Sequence, residues 1–222
     1  MSKECSEIIK RLKSLHNKKN VEGMRRFGIK SKNMLGISMP VIRRMAAETG
    51  KNHGVALELW DSGIHEAMIL ASLIADPELM NDDVLEKWVN EIDSWGICDQ
   101  ACLNLFRKIP SAHDMAAEWA VREEEYVRRA GFSLMAVLAV HDRDSSDSSF
   151  KKFFPLILNA SSDERNFVKK AVNWALRQIG KRNHRLNREA IKLAEKISRM
   201  DSRSAKWIAA DALRELKSKT FG

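Results

Sequence analysis

The sequence predicts an all-α chain assembled from stacked antiparallel helix pairs, and three observations carry that prediction. The composition favours helix formers and is poor in breakers, with four prolines and ten glycines in 222 residues. Apolar residues recur at helical spacing along the chain. A marker residue recurs within successive apolar helices at Ala67, Ala101, Ala130, Ala171 and, more loosely, Ile208, at intervals of 34, 29, 41 and 37 residues. Such intervals fall in the range of helical-pair repeats, whose stacking produces an α-α superhelix with a concave face. No long or low-complexity linker interrupts the pattern. Residues 1–222 therefore read as a single domain of HEAT-like repeats, with 142–149 as its most loop-like piece.

Each element has a local reason. Ile8, Ile9, Leu12 and Leu15 place a first amphipathic helix over Glu4 to His16, followed by a break at 17–20 and a short helix ending near Phe27. In Leu35-Gly36-Ile37-Ser38-Met39-Pro40, Gly36 permits a tight turn, Ser38 is placed to cap and Pro40 suits a first helical turn. The helix so started runs to about Thr49 and carries Arg43 and Arg44. Amphipathic helices at Asp83 to Asn90, His113 to Arg122 and Arg188 to Ile197 alternate with the marked ones.

Charge sharpens the functional classes. The net charge is +8, but residues 1–50 carry +8, residues 51–150 carry −11 and residues 151–222 carry +11. Basic ends suit a polyanion such as nucleic acid. Three cysteines, Cys5, Cys98 and Cys102, are too few for a disulfide framework and suit a reducing compartment. No histidine lies at a partner spacing to Cys98 and Cys102, so no metal is expected, and nothing in the sequence calls for a cofactor. Without a run long and apolar enough to cross a bilayer, and with a charged N-terminus, the expectation is a cytoplasmic protein that acts as a monomer.

The candidate chemistry sits at Ser94-Trp95-Gly96-Ile97-Cys98-Asp99-Gln100. Trp95 and Asp99 are four apart, so on a helix an indole and a carboxylate share one face. Asp93 or Ser94 is available to cap the helix, which frees Asp99 from that duty. The marker alignment places Gln100, Arg128, Arg129, Lys169 and Lys170 at equivalent positions, and the four cations among them form a row suited to a phosphate backbone. Trp174, three residues after Ala171, joins the same expected groove. Trp60, Trp88, Trp119 and Trp207 are assigned to the core or to packing between repeats.

These pieces together carry a resemblance. The succession of Leu35-Gly36-Ile37-Ser38-Met39-Pro40 with Arg43-Arg44, Leu59-Trp60-Asp61 with Glu66, Trp95 with Asp99, Tyr126-Val127-Arg128-Arg129-Ala130, and Ala171-Val172-Asn173-Trp174-Ala175-Leu176-Arg177 is similar to the AlkD-type DNA alkylation repair family. Those proteins are glycosylases built from HEAT-like repeats. The resemblance implies double-stranded DNA containing alkylated bases as partner, and removal of cationic N3- or N7-alkylated purines. It implies Asp99 as catalytic carboxylate, Trp95 and Trp174 as the aromatic positions beside the damaged nucleotide's sugar, and Arg129 as a backbone contact. Arg128, Lys169, Lys170 and Arg44 complete the expected DNA-binding set. Two positions depart from the family pattern: Gly96 stands where some relatives carry an acidic residue, and Tyr126 replaces a tryptophan. Two other classes fit the residues, a non-enzymatic DNA-binding module and a protein-interaction scaffold docking through the acidic middle region.

Overall fold

A computed structural model describes residues 1–221. Among them the regular structure is entirely helical apart from one isolated bridge between Asn33 and Ile64. The chain falls into two compact units, Met1–Ile109 and Pro110–Gly222.

The first unit contains α1 (Lys3–Ser14), α2 (Lys18–Arg26), α3 (Met39–Thr49), α4 (His53–Asp61), α5 (His65–Ile74), α6 (Asp82–Glu91) and α7 (Trp95–Asn104). The expected break at 17–20 is only a cap: Asn17 Oδ1 accepts from Asn20 N at 3.1 Å, which satisfies a first-turn amide and starts α2 at Lys18. α3 begins after Ser38 with Pro40 in its first turn, although the Ser38 hydroxyl makes no cap bond. α5 is the buried centre of the unit, nearly every one of its residues being inaccessible, and it packs against α3, α4 and α7. Trp60 and Trp88 stack face to face with centroids 3.9 Å apart, and Trp60 Nε1 donates to Glu91 Oε2 at 2.8 Å. The indole N–H thus has an acceptor at the edge of an otherwise apolar contact.

The second unit contains α8 (Ala112–Ala120), α9 (Glu125–His141), α10 (Asp147–Lys151), α11 (Phe154–Ala160), α12 (Asn166–Gly180), α13 (His184–Ser198) and α14 (Arg203–Ser218). α9 is central and packs on α8 and α12; α12 in turn meets α13 and α14. The approach of α9 to α8 is close enough that a Cβ on Gly131 would collide with the backbone at Ala120. The 142–149 stretch is shorter as a loop than expected, because Asp147 onward forms α10 and sends Phe150 into the core. The markers Ala67, Ala101, Ala130, Ala171 and Ile208 are all buried, on α5, α7, α9, α12 and α14. The repeat signal is therefore a packing signal. Within each unit the marked helices pack on one another, α5 on α7 and α12 on α9 and α14.

Of the two alternatives for the four remaining tryptophans, core or packing between repeats, the core is ruled out for one. Trp60, Trp88 and Trp119 are buried, but Trp207 is 42% exposed. It lies on the outer face of α14, whose buried side carries Ala205, Ile208, Ala209 and Ala212, and its ring is covered by the Lys169 ammonium 5.3 Å from the centroid.

Candidate functional site

α7 is short and its polarity is one-sided. Ile97, Cys98, Ala101 and Cys102 are buried, while Trp95 and Asp99 are half-buried and share the opposite face as their i, i+4 spacing dictates. Ser94 is the cap, its Oγ accepting from Ile97 N at 3.4 Å. Ser94 rather than Asp99 thus caps α7. The thiols of Cys98 and Cys102 face the core rather than the Trp95–Asp99 face.

Behind the start of α7 lies a polar network of the buried Ser31, His65 and Ser94 with the exposed Asp93. Ser31 Oγ donates its only proton to Asp93 Oδ1, so at 3.0 Å from His65 Nδ1 it accepts from the ring N–H. The same Nδ1 lies 3.4 Å from Ser94 Oγ. Burial holds the His65 imidazole below its ordinary pKa, against the opposing pull of Glu66 and Asp93. Gly96 sits directly over this ring. A Cβ there would lie 3.2 Å from His65 Cε1 and 3.3 Å from Ile29 Cδ1, so the bare backbone leaves room for the imidazole.

Trp95 is fixed from the other side. Its Nε1 donates to the Phe27 carbonyl at 3.1 Å, and its ring packs on the cluster of Val21, Ile29 and Met34. An open concavity of about 480 Å³ adjoins it, lined among others by Lys19, Met24, Arg26, Phe27 and Ile37. Phe27 is 77% exposed. Its exposure is not announced by helical periodicity, although an aromatic directly after Arg25-Arg26 and before a glycine is a readable signal. Lys18, Lys19, Arg25, Arg26, Lys30 and Lys32 are all exposed around it in the chain.

The loop that delivers α3 is anchored by Glu66. Its fully buried carboxylate accepts from Leu35 N at 2.8 Å, Gly36 N at 2.6 Å and Ile37 N at 3.3 Å. Gly36 has φ +74°, and a Cβ on it would strike the Asn17 carbonyl oxygen. Arg44 is exposed on α3, one turn before Glu48.

In the second unit, α9 and α12 bring Arg128, Arg129, Lys169, Lys170 and Trp174 onto neighbouring helices. Arg128 is used within the protein. It reaches Asp163 Oδ2 at 3.1 Å, the carbonyls of Arg122 and Val121 at 2.5 and 3.2 Å, and Glu123 Oε1 at 3.4 Å. Burial alone would raise the Asp163 pKa, but hydrogen bonds from Arg165 and Arg128 hold it below the ordinary value. Arg129 is buried and donates from Nη1 to the Phe167 carbonyl at 2.6 Å. Tyr126 stacks on that same Phe167, centroids 6.0 Å apart, which gives this aromatic a packing role at the α9–α12 contact. Lys169 is taken up by the Trp207 ring, whereas Lys170 is exposed. Trp174 is half-buried; with the Gln178 amide turned to suit, its Nε1 donates to the Gln178 oxygen at 3.1 Å.

The packed helical pairs define an all-α protein of HEAT-like repeats. The profile of the DNA alkylation repair enzyme family matches residues 8–216, and the chain belongs to that family. Among solved structures it is similar to one described as a new family of proteins related to the HEAT-like repeat DNA glycosylases with affinity for branched DNA structures. That match has 19% identity over 95% of each chain and a TM-score of 0.78, and shows the shared fold. A designed armadillo repeat protein in complex with a (KR)4 peptide matches at 14% identity over 79% of this chain and 85% of that one, TM-score 0.45. No curated protein matches.

Proposed function

We propose that this protein is a DNA glycosylase that excises cationic N3- or N7-alkylated purines from duplex DNA. The observation that carries the reading is the Trp95–Asp99 pair on one face of α7, in a chain whose family match runs almost end to end. Ordinary glycoside hydrolysis uses two carboxyl groups, one to protonate the leaving oxygen. An N-alkylated purine already carries positive charge and departs as a neutral base, so the acid is dispensable. What remains is an oxocarbenium-like sugar, which one ionised carboxylate stabilises while positioning a water. Asp99 takes that role. Trp95 supplies an indole face for the developing cation, worth about 0.5–2 kcal/mol by analogy with cation–π contacts, and Trp174 is assigned the second aromatic position on the family resemblance alone. Exposed cations at Arg44, Lys170 and along α2 support a polyanionic partner.

The test is release of 7-methylguanine from methylated duplex DNA. Asp99→Asn is expected to reduce release by on the order of 10²–10³-fold, the scale for losing one preorganised electrostatic contact, and to leave duplex affinity nearly unchanged. Wild-type protein that releases no base would sink the reading. A second reading, binding of branched DNA without excision, is favoured by the description of the structural relative. It predicts salt-dependent binding to junction DNA that Asp99→Asn does not alter.

A further inference from the structure

In the second unit a concavity of about 400 Å³ is lined by Ala139, Val140, Arg143, Gln178, Lys181, Arg182 and Asn183. Three of these are cations, two are amides and none is a carboxylate. Gln178 lies one turn beyond Trp174 on α12, and its amide oxygen, so turned, accepts from both Trp174 Nε1 at 3.1 Å and Lys181 Nζ at 3.2 Å. The indole edge and the ammonium are thereby held on one acceptor, which leaves the Gln178 NH2 as a donor.

The C-terminus of α9 would ordinarily repel an anion through its unpaired carbonyls. Arg182 removes that obstacle. It donates from Nη1 to Ala139 O at 2.9 Å and Asp142 O at 2.7 Å and from Nη2 to Ser145 O at 3.3 Å, with its guanidinium 3.9 Å from the Phe150 centroid. Arg143, two residues beyond that end, is exposed and, among the described residues, makes no ion pair. Lys181 also binds Glu215 Oε1 at 2.5 Å, but Arg177 neutralises the same carboxylate from its other oxygen. Of the neighbouring acids, Asp142 is engaged by His113 and Asp147 by Asn183, while Asp144, exposed beside Arg143 in the chain, is not part of the lining.

We infer that Arg143, Gln178 and Lys181 form a subsite for one phosphate of the DNA backbone, adjoining the nucleotide that Trp174 contacts. The inference rests on the DNA-binding reading above. It concerns residues that reading does not use, and its ligand chemistry is a phosphodiester oxygen pair held by charge-assisted N–H donors.

The experiment is equilibrium binding of undamaged duplex DNA across a salt series, for wild type, Arg143→Ala, Lys181→Gln and a control, Arg199→Ala, that removes an exposed cation elsewhere on the same unit. Removing one cation from a phosphate lowers the magnitude of the slope of log K against log salt by about 0.9. Arg143→Ala and Lys181→Gln are expected to show that reduction, with circular dichroism unchanged, and Arg199→Ala to keep the wild-type slope. An unchanged slope in Arg143→Ala overturns the subsite, and so does an equal reduction in Arg199→Ala, which would mark a general charge effect. Wild type with no salt-dependent binding would instead overturn the DNA-binding reading itself, a result distinct from a binder indifferent to Arg143.

Discussion

Gly96 lies against the buried imidazole of His65: a Cβ at Gly96 would stand 3.2 Å from His65 Cε1 and 3.4 Å from Nε2. The one position in the Trp95–Asp99 segment that the family resemblance does not explain is thus answered by its neighbour on α5. Where some relatives place an acidic side chain, this chain places a ring from below. The ring in turn reaches Ser31 and Ser94, so the start of the helix bearing Trp95 and Asp99 is held by a residue at the start of α5.

Gly96→Ala tests that relationship through a coupling. A glycine in a helix is up to about 1 kcal/mol less favourable than alanine, but squeezing a methyl into a packed site costs about 1–3 kcal/mol. In wild-type background the two oppose each other, and the variant is expected to be neutral to destabilised. In a His65→Ala background the space opens and the same substitution should stabilise. A double-mutant cycle by urea unfolding should give a coupling of at least about 0.5 kcal/mol, and strict additivity would contradict the contact.

His65 also predicts a pH dependence. Its pKa is lowered in the folded state by burial, so the unfolded chain binds the proton more readily. Stability is therefore full above about pH 6.5, the ordinary histidine value, and falls as pH drops through the lower folded value. The network carboxylate Asp93 and the adjacent Glu66 pull the other way and set how far the window extends. Thermal unfolding between pH 7 and pH 5 should show a decline in wild type that is smaller in His65→Gln.

Glu66 is expected to be the most sensitive polar position of the first unit. Its carboxylate receives three backbone amides, from Leu35, Gly36 and Ile37. Glu66→Gln replaces one acceptor oxygen with a donor facing amide donors, and bonds to a charged acceptor are worth about 1.5–3 kcal/mol each. A loss of about 3 kcal/mol in urea unfolding is expected, together with faster amide exchange at residues 35–37.

Much of this is legible in the sequence, and what is not has a common cause. Gly36 and Pro40 announce a turn and a helix start because their backbone preferences are intrinsic. Trp95 and Asp99 announce a shared face because four residues make a turn. By contrast, the positions of His65 relative to Gly96, of Glu66 relative to residues 35–37, and of Lys169 over Trp207 depend on contacts between distant segments. Periodicity does not encode those. Trp207 misleads because a large aromatic suggests burial, while α14 fills its inner face with Ser204, three alanines, Ile208 and Leu216 and leaves the indole outside. Asn17 and Asp147 read as loop residues because polar runs look the same whether they interrupt a helix or begin one.

Arg128 and Lys170 are candidates of the same kind in the sequence, and their environments separate them. Arg128 bridges Asp163 and the carbonyls of Val121 and Arg122, tying the turn before α9 to the segment before α12. Removing it leaves those acceptors and a largely buried Asp163 short of a donor, so Arg128→Ala is expected to cost about 2 kcal/mol of stability. Lys170 is exposed on α12, and Lys170→Ala should leave unfolding within about 0.5 kcal/mol of wild type. In duplex binding the order reverses. Lys170→Ala should reduce the salt slope by about 0.9 if it contacts a phosphate, while Arg128→Ala, assayed well below its melting temperature, should keep the wild-type slope. Equal slopes for Lys170→Ala and wild type would remove Lys170 from the DNA-binding set, and a reduced slope for Arg128→Ala would show that its guanidinium leaves Asp163 to meet the backbone.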